Sequence, residues 1–381
     1  MIMRKIASRC SIVFLIVLFL TQASMAGATP TNSTIKYFSV LRVATAWIPF
    51  DSLSWEQSAR IKVTNDFQWF EATIYTSAPS AVHLYKFDKT FDPMKWFHLS
   101  SQDWVNYRES YRLMKVDIPE GIGADEKSHL LREAFLQFFA TIVSDTPSQH
   151  YGILYSGHGS GNGGLFENQI NPTDSQWLLE NVTSLIGKKI DFLDLGGNCS
   201  EGKTNVVSNF YPYFDYILAS DLLVGNYDFD NWTIEKYNQT QPDYQYPIIM
   251  TPDKTIRDGL SQILDLFRLR WEYSRNNMIA GQVKQSVSLF KADAFEPLAY
   301  SVRQELTALP SDLSNYNYDL FTYVKSLSRS DMESQFLSFR IEYRSNKDFF
   351  PWDIDTNGLS IYSTDSVLLY KEILYLPIVI K

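Results

Sequence analysis

The sequence predicts an α/β protein, a mostly parallel central sheet flanked by helices, with a carboxyl-terminal α/β subdomain packed on it. Two observations carry this reading. The apolar runs Tyr151 to Tyr155 and Ile190 to Leu195 each stop abruptly in glycine, as strands buried on both faces of a parallel sheet do. Between and before these runs stand amphipathic segments, and strand, helix, strand is the pattern of a parallel crossover.

Taken in order, the chain opens on a leader. Arg4, Lys5 and Arg9 precede a short apolar run from Ile12 to Leu20, and Ser24-Met25-Ala26 offers small residues for cleavage, so residues 1–26 read as a signal peptide. The apolar run is about half the ~20 residues a spanning helix needs, which argues against stable membrane insertion. Export to a secreted, periplasmic or cell-surface location follows. Of the two cysteines, Cys10 leaves with the leader and Cys199 stays. No intramolecular disulfide can then form, and a lone thiol in oxidising surroundings must be buried or used.

The first strand is expected near Tyr37 to Ala46, a helix from about Ser54, and a second strand near Ser80 to Phe87. Trp96 to Arg112 is polar and aromatic without a clear period and reads as loop with short pieces. Glu126 to Val143 is the clearest helix of the first half. Leu130, Ala134, Phe138 and Ile142 recur every four residues, with Leu131, Phe135 and Phe139 beside them. Asp125 is a candidate cap for it, and Pro147 ends the segment.

Further helices are expected over Ser175 to Leu185, Lys203 to Asn209, from Thr251-Pro252-Asp253 onward, over Ala294 to Leu309 and over Tyr318 to Leu327. The first of the two long helices in the second half carries an apolar stripe of Ile256, Leu260, Ile263, Leu264, Phe267 and Trp271, read as core packing. Residues 31–250 form the expected core and 251–381 the carboxyl-terminal subdomain.

Composition excludes some partners. The formal net charge is −9 and no basic stripe or basic-aromatic patch offsets it, so nucleic acid is not expected. Hydrophobic residues make up 45% of the chain, enough for a large core and against disorder. Five histidines and one mature cysteine show no zinc-ligand spacing. Asp353-Ile354-Asp355-Thr356-Asn357-Gly358 matches the first half of a calcium loop, but Thr364 stands where the twelfth-position glutamate is required. A plain turn before a last strand is the preferred reading, with no metal site assigned.

Chemistry concentrates in two blocks. Tyr151 to Phe166 reads YGILYSGHGSGNGGLF and Ile190 to Gly202 reads IDFLDLGGNCSEG. A buried strand that runs into a glycine-rich turn sets its next side chains at the carboxyl edge of an open sheet, where α/β proteins bind ligands. His158 and Cys199 are therefore candidates for a catalytic pair. Gly157, Gly159, Gly161, Gly163 and Gly164 permit the close backbone approach that an oxyanion site needs. A phosphate-binding loop is the rival for these glycines. A short helix after Cys199 would favour the thiolate through its dipole.

These blocks resemble the clostripain family of caspase-like cysteine peptidases. PSQHYGILYSGHGSG at Pro147 to Gly161 is similar to that family's histidine block and IDFLDLGGNCSEG to its cysteine block; YFDYILASD, QSVSLFKAD and NGLSIYS resemble later family segments. The resemblance implies a caspase-like sheet and a cysteine endopeptidase with His158 and Cys199 as catalytic residues. It also implies an oxyanion hole from the backbone amides of Gly159 and Cys199. No cofactor is required, and calcium stays open because some family members depend on it. Protein or peptide substrates cut after Arg or Lys are the family's common preference, with Asp228 and Asp230 as specificity-pocket acids. Gly197 stands where the family commonly has an aspartate. The alternative is an inactive relative that binds peptides or a surface partner. Oligomeric state is not legible.

Overall fold

The computed structural model describes residues 36–46, 64, 66–77, 79–92, 95, 98–157, 159, 163–196, 202, 204–220, 246, 249–274, 286–306, 318–345 and 360–361. The leader at 1–26, the helix expected from Ser54 and the calcium-like loop at 353–358 lie outside the described residues.

Five strands run parallel through the centre of one sheet. They are β1 (Lys36–Ala46), β2 (Phe67–Tyr75), β5 (Ser148–Ser156), β6 (Ile190–Leu195) and β7 (Phe214–Ala219), in the spatial order β7-β6-β5-β1-β2. Antiparallel strands extend both sides. β3 (Ala81–Phe87) and β4 (Arg112–Asp117) follow β2, while β8 (Ser286–Lys291) and β10 (Arg340–Ser345) follow β7. The pattern follows burial: every residue of β2 and β6 is buried, as a strand covered on both faces must be. At the outer edge, β4 alternates exposed and half-buried residues and carries Arg112, Lys115 and Asp117, charges that discourage further strand pairing.

Alternate residues of each strand feed two cores. Leu41, Val43, Ile153, Tyr155, Leu193 and Ile217 face one side, where the first helical layer covers them. That layer includes α2 (Ala124–Asp145) and α3 (Pro172–Ile186), through Leu131, Phe135, Phe138, Leu178 and Val182. Phe38, Val40, Leu154, Phe192 and Leu218 face the other side, against α1 (Ser101–Glu109) and α5 (Ile256–Ser274), through Trp104, Leu260, Ile263, Leu264 and Trp271. The period of two in strands and about four in helices is what sorts these side chains.

The remaining elements are α4 (Thr204–Phe210), α6 (Phe295–Leu306), β9 (Tyr318–Asp319), α7 (Leu320–Ser326), α8 (Ser330–Phe339) and β11 (Ser360–Ile361). β9 and β11 form a separate two-stranded antiparallel pair. Residues after Met250 thus supply α5 to one face and β8 and β10 to the sheet itself.

Several expectations need correction. Within Trp96 to Arg112, which the sequence reads as loop with short pieces, stands the nine-residue helix α1, capped by Ser100, whose Oγ accepts from the Asp103 amide at 3.2 Å. Its buried face pairs Trp104 with Arg108, an apolar and a charged residue, so no apolar period shows. Strand β2 was not anticipated at all. Beyond it the chain runs antiparallel, β3 against β2 and β4 against β3 with α1 between those two, in place of the expected βαβ units. Asp125 does not cap α2; Gly123 does, and Asp125 sits in the first turn. Thr251-Pro252-Asp253 form a turn ahead of α5, whose first amides are met by Thr255 Oγ1, accepting from the Asp258 amide at 3.1 Å. Tyr318 and Asp319 belong to β9, and the helix starts at Leu320.

Between β5 and β6 the sheet leaves no room for a side chain at Gly152. A Cβ there would overlap the Phe192 ring, which is stacked on Tyr246 with centroids 5.0 Å apart and packed on Phe38 at 5.6 Å. Gly152→Ala is expected to destabilise the protein by about 1–3 kcal/mol through overpacking, read as a lower midpoint of urea unfolding at unchanged slope.

Under α1, the sheet buries charge. Arg42, Glu71 and Arg108 are all within 3% exposure; Arg42 Nη1 lies 3.2 Å from Glu71 Oε2, and Arg108 Nη2 pairs with Glu71 Oε1. Arg108 also donates to Thr73 Oγ1 at 2.8 Å and to the Tyr75 hydroxyl at 3.2 Å, with its guanidinium 4.1 Å over the Tyr85 ring. Tyr85 in turn donates to Glu109 Oε1 at 2.5 Å, which His83 Nδ1 approaches at 3.2 Å.

Burial alone would raise the Glu109 carboxyl, but the bonds from His83 and Tyr85 and the charges of His83 and Arg112 outweigh it and hold the group down at about 2. A carboxyl depressed on folding adds stability above its ordinary range, near 4.3, and loses it as pH falls toward 2. The urea midpoint should therefore drop between about pH 4.5 and 2, and Glu109→Gln should flatten that drop.

Candidate active site

The two glycine-ended strands lie side by side. β5 pairs β6 in parallel with Leu154 opposite Asp194, so both strands end at the same edge of the sheet. β1 flanks β5 on the other side, with Ala44 opposite Ser156. His158 follows the end of β5 by two positions and Cys199 follows the end of β6 by four. Both residues lie outside the described residues, as do the expected pocket acids Asp228 and Asp230. Gly159, expected to offer its amide to an oxyanion, is described and half-buried.

The turn after β6 is fixed by a buried carboxylate. Asp194 Oδ1 accepts from the Gly196 amide at 2.8 Å, and Asp194 Oδ2 accepts from the Tyr246 hydroxyl at 2.7 Å. Gly196 is needed there on packing grounds, since a Cβ would come within 2.9 Å of Val287 Cγ2 and 3.2 Å of Phe267 Cζ. Beyond this turn the Gly202 amide donates to the Ser220 carbonyl at 2.6 Å, which ties the segment after Cys199 to the end of β7. Helix α4 then starts at Thr204, close to its expected bounds and five positions past Cys199 in sequence.

The two blocks are also tied to each other. Asn209 of α4 donates through Nδ2 to the Gly163 carbonyl at 3.1 Å, joining the helix behind the cysteine block to the loop behind the histidine block. Gly163 has φ of 79°, a left-handed value that glycine adopts without penalty.

The histidine block runs on into a turn that no glycine or proline announces. Phe166, Glu167 and Asn168 all have left-handed φ, at 56°, 61° and 58°, and none is glycine. Such backbone costs roughly 1–2 kcal/mol per residue and persists only where surroundings impose it. Here Leu165 and Ile170 close the turn as a bridge, Ser175 Oγ accepts from the Leu165 amide at 2.9 Å and donates to the Ile170 carbonyl at 3.0 Å, and Phe166 packs on Phe135 at 4.7 Å. The turn presents Glu167 to Thr45 near the end of β1, whose hydroxyl donates to Glu167 Oε2 at 3.3 Å. No glycine or proline in Phe166-Glu167-Asn168-Gln169 marks the bend, and only Asn168 tolerates it readily.

A second histidine and acid meet at the opposite end of the same strands. His150 Nδ1 lies 2.6 Å from Asp191 Oδ1, while Lys188 Nζ and the Tyr151 amide donate to Asp191 Oδ2 at 2.9 and 2.8 Å. Burial would raise the Asp191 carboxyl, but these donors lower it below its usual range. With no nucleophile in the group and the glycine-rich turns at the far edge, it is a clasp between β5 and β6. Among the described residues, no three His, Cys, Asp or Glu are grouped to hold a metal ion, and no helix is long and apolar enough to cross a membrane.

No protein-family model matches the chain, and no curated protein sequence matches it. Solved structures do. A secreted C11 cysteine protease from Bacteroides thetaiotaomicron, iotapain, superposes with a TM-score of 0.58 at 12% identity, over 87% of this chain and 94% of that one. An inactive zymogen of a C11 protease from Parabacteroides distasonis gives 0.54 at 17% identity, over 89% and 96%. A secreted C11 protease from Bacteroides thetaiotaomicron in complex with an irreversible peptide inhibitor gives 0.56 at 16%, over 86% and 92%. The chain has the caspase-like fold of the C11, clostripain-type cysteine proteases.

Proposed function

We propose that this chain is an exported cysteine endopeptidase that hydrolyses peptide bonds through Cys199 and His158. The observation that supports it most is the parallel register of β5 and β6, which ends the two motif-bearing strands at one sheet edge, in a fold shared with C11 cysteine proteases. The neighbour held with a peptide inhibitor supports peptides as the substrate class. Export rests on the leader at residues 1–26.

In the proposed reaction, the Cys199 thiolate attacks the scissile carbonyl carbon and forms a tetrahedral intermediate. His158 protonates the departing amine, leaving a thioester on Sγ, and then takes a proton from the water that hydrolyses it. The amides of Gly159 and Cys199 would hold the oxyanion, each such donor contributing about 3 kcal/mol to the transition state. The reading is supported by the ties among the described residues that flank these groups in sequence: Asp194 to Gly196 after β6, Asn209 to Gly163 across the two blocks, and Gly202 to Ser220. Cleavage after Arg or Lys, with Asp228 or Asp230 as pocket acids, is part of the proposal. No metal is assigned a role.

The test is to incubate mature protein with a peptide library varied at the residue before the scissile bond, beside Cys199→Ala and His158→Ala. The expected result is cleavage by the wild type alone, concentrated after Arg and Lys. Cleavage that persists in Cys199→Ala would sink the mechanism. Absence of both cleavage and thiol labelling in the wild type would favour the inactive, peptide-binding alternative.

A further inference from the structure

We infer that Glu167 is a specificity-determining residue of this edge, a carboxylate that receives the cationic side chain of a substrate Arg or Lys at a position other than the one before the scissile bond, which Asp228 or Asp230 serves in the reading above; the inference rests on that peptidase reading. Three observations lead to it. The first is place. Thr45, which donates to Glu167 Oε2, stands one residue past Ala44, and Ala44 is opposite Ser156 at the end of β5. The Tyr155 hydroxyl lies 3.4 Å from Thr45 Oγ1. A Cβ on Gly157 would fall within 2.7 Å of Thr45 Oγ1 and closer still to the Tyr155 hydroxyl. The polar group holding Glu167 is thus packed on the residue that immediately precedes His158.

The second observation is that the presentation is built in. Glu167 is the middle of three left-handed non-glycine residues. The turn is strapped down by Ser175 on both sides and by Ser128, which accepts from the Asn171 amide at 2.9 Å. Phe166 is buried in the core, whereas Glu167 is half-buried and Asn168 exposed. Core packing by Phe166 therefore accounts for one residue of the turn and leaves the aim of Glu167 to be explained.

The third is charge. Glu167 makes no ion pair among the described residues; one oxygen accepts from a neutral hydroxyl and the other has no partner among them. A half-buried carboxylate in that state has a strong electrostatic claim on a guanidinium or ammonium, and hydrogen bonds to charged groups are the stronger kind.

The test compares acetylated peptide pairs, Arg against citrulline and Lys against norleucine, at each position around the scissile bond. Each pair is cut by the wild type and by Glu167→Gln, which keeps an acceptor for Thr45. The expected result is a preference for the cationic peptide of about 10-fold or more at one position besides the residue before the scissile bond. In Glu167→Gln the preference at that position falls to near parity, because kcat/KM drops about tenfold more for the cationic peptide than for the neutral one. An unchanged preference, or an equal fall for both members of a pair, overturns the inference.

A second arm needs no turnover. Agmatine binding to Cys199→Ala, measured by calorimetry, should weaken about tenfold when Glu167→Gln is added, and equal binding by the two variants would overturn the inference. If agmatine binding depends on Glu167 but the wild type cuts no peptide, the inference stands and the peptidase reading fails.

Discussion

Cys199→Ala is expected to lower kcat/KM by about 10⁴-fold or more, with unfolding unchanged. The size follows from the proposed chemistry: if Cys199 is the nucleophile, no covalent intermediate forms without its thiolate, and only binding and any oxyanion donors remain to act on a water. His158→Ala should lose about 10²–10⁴-fold, the usual worth of a positioned acid and base. The double variant should be no slower than Cys199→Ala, because in the proposed mechanism the two residues act on one step and their effects do not add. Progress curves on a fluorogenic peptide, with urea unfolding run in parallel, check all three. A cumulative loss in the double variant would mean that His158 and Cys199 serve separate steps.

Glu71→Ala has the largest expected effect on stability, about 3–5 kcal/mol. Glu71 is the shared carboxylate between Arg42 and Arg108, and all three are buried beneath α1. Removing it takes one counter-charge from each of two desolvated guanidiniums. Arg108 keeps the Tyr75 and Thr73 hydroxyls and the Tyr85 ring, which supply dipoles and a π face but no negative charge. The urea midpoint should fall steeply. The separate pair Tyr85 and Glu109 lies further along the same network, so Glu71→Ala and Glu109→Gln should not be additive. A loss below about 1 kcal/mol would show that the arginines find water on relaxation, contrary to their burial.

What was legible in the sequence was mostly local. Ile190 to Leu195 was bounded correctly because a fully buried strand between Lys189 and Gly196 leaves no alternative reading. The helix over Glu126 to Val143 is legible because six apolar side chains, Leu131, Ala134, Phe135, Phe138, Phe139 and Ile142, share its buried face. β2 and α1 were missed for one common reason. Glu71 in the strand and Arg108 in the helix read as solvent residues, and only their tertiary pairing makes both segments buried. Charge that is neutralised across 37 positions of sequence leaves no local mark.

The site divides the same way. Glycine ends and reactive side chains picked out the two blocks, and the sheet brings their strands to one edge. The supports were not visible. Tyr246 reaches Asp194 across 52 positions and Thr45 reaches Glu167 across 122. Each of these bonds depends on strands and turns meeting in space, and neither residue type nor spacing signals it.

The central claim is that Cys199 is the nucleophile and His158 its partner. Its most direct test is to titrate the protein lacking residues 1–26 with an irreversible peptidyl chloromethyl ketone ending in arginine, map the adduct by mass spectrometry and follow residual activity. The expected result is one adduct per chain, on Cys199, with activity falling in proportion and labelling strongly slowed in His158→Ala. Full activity after every Cys199 is alkylated would contradict the account.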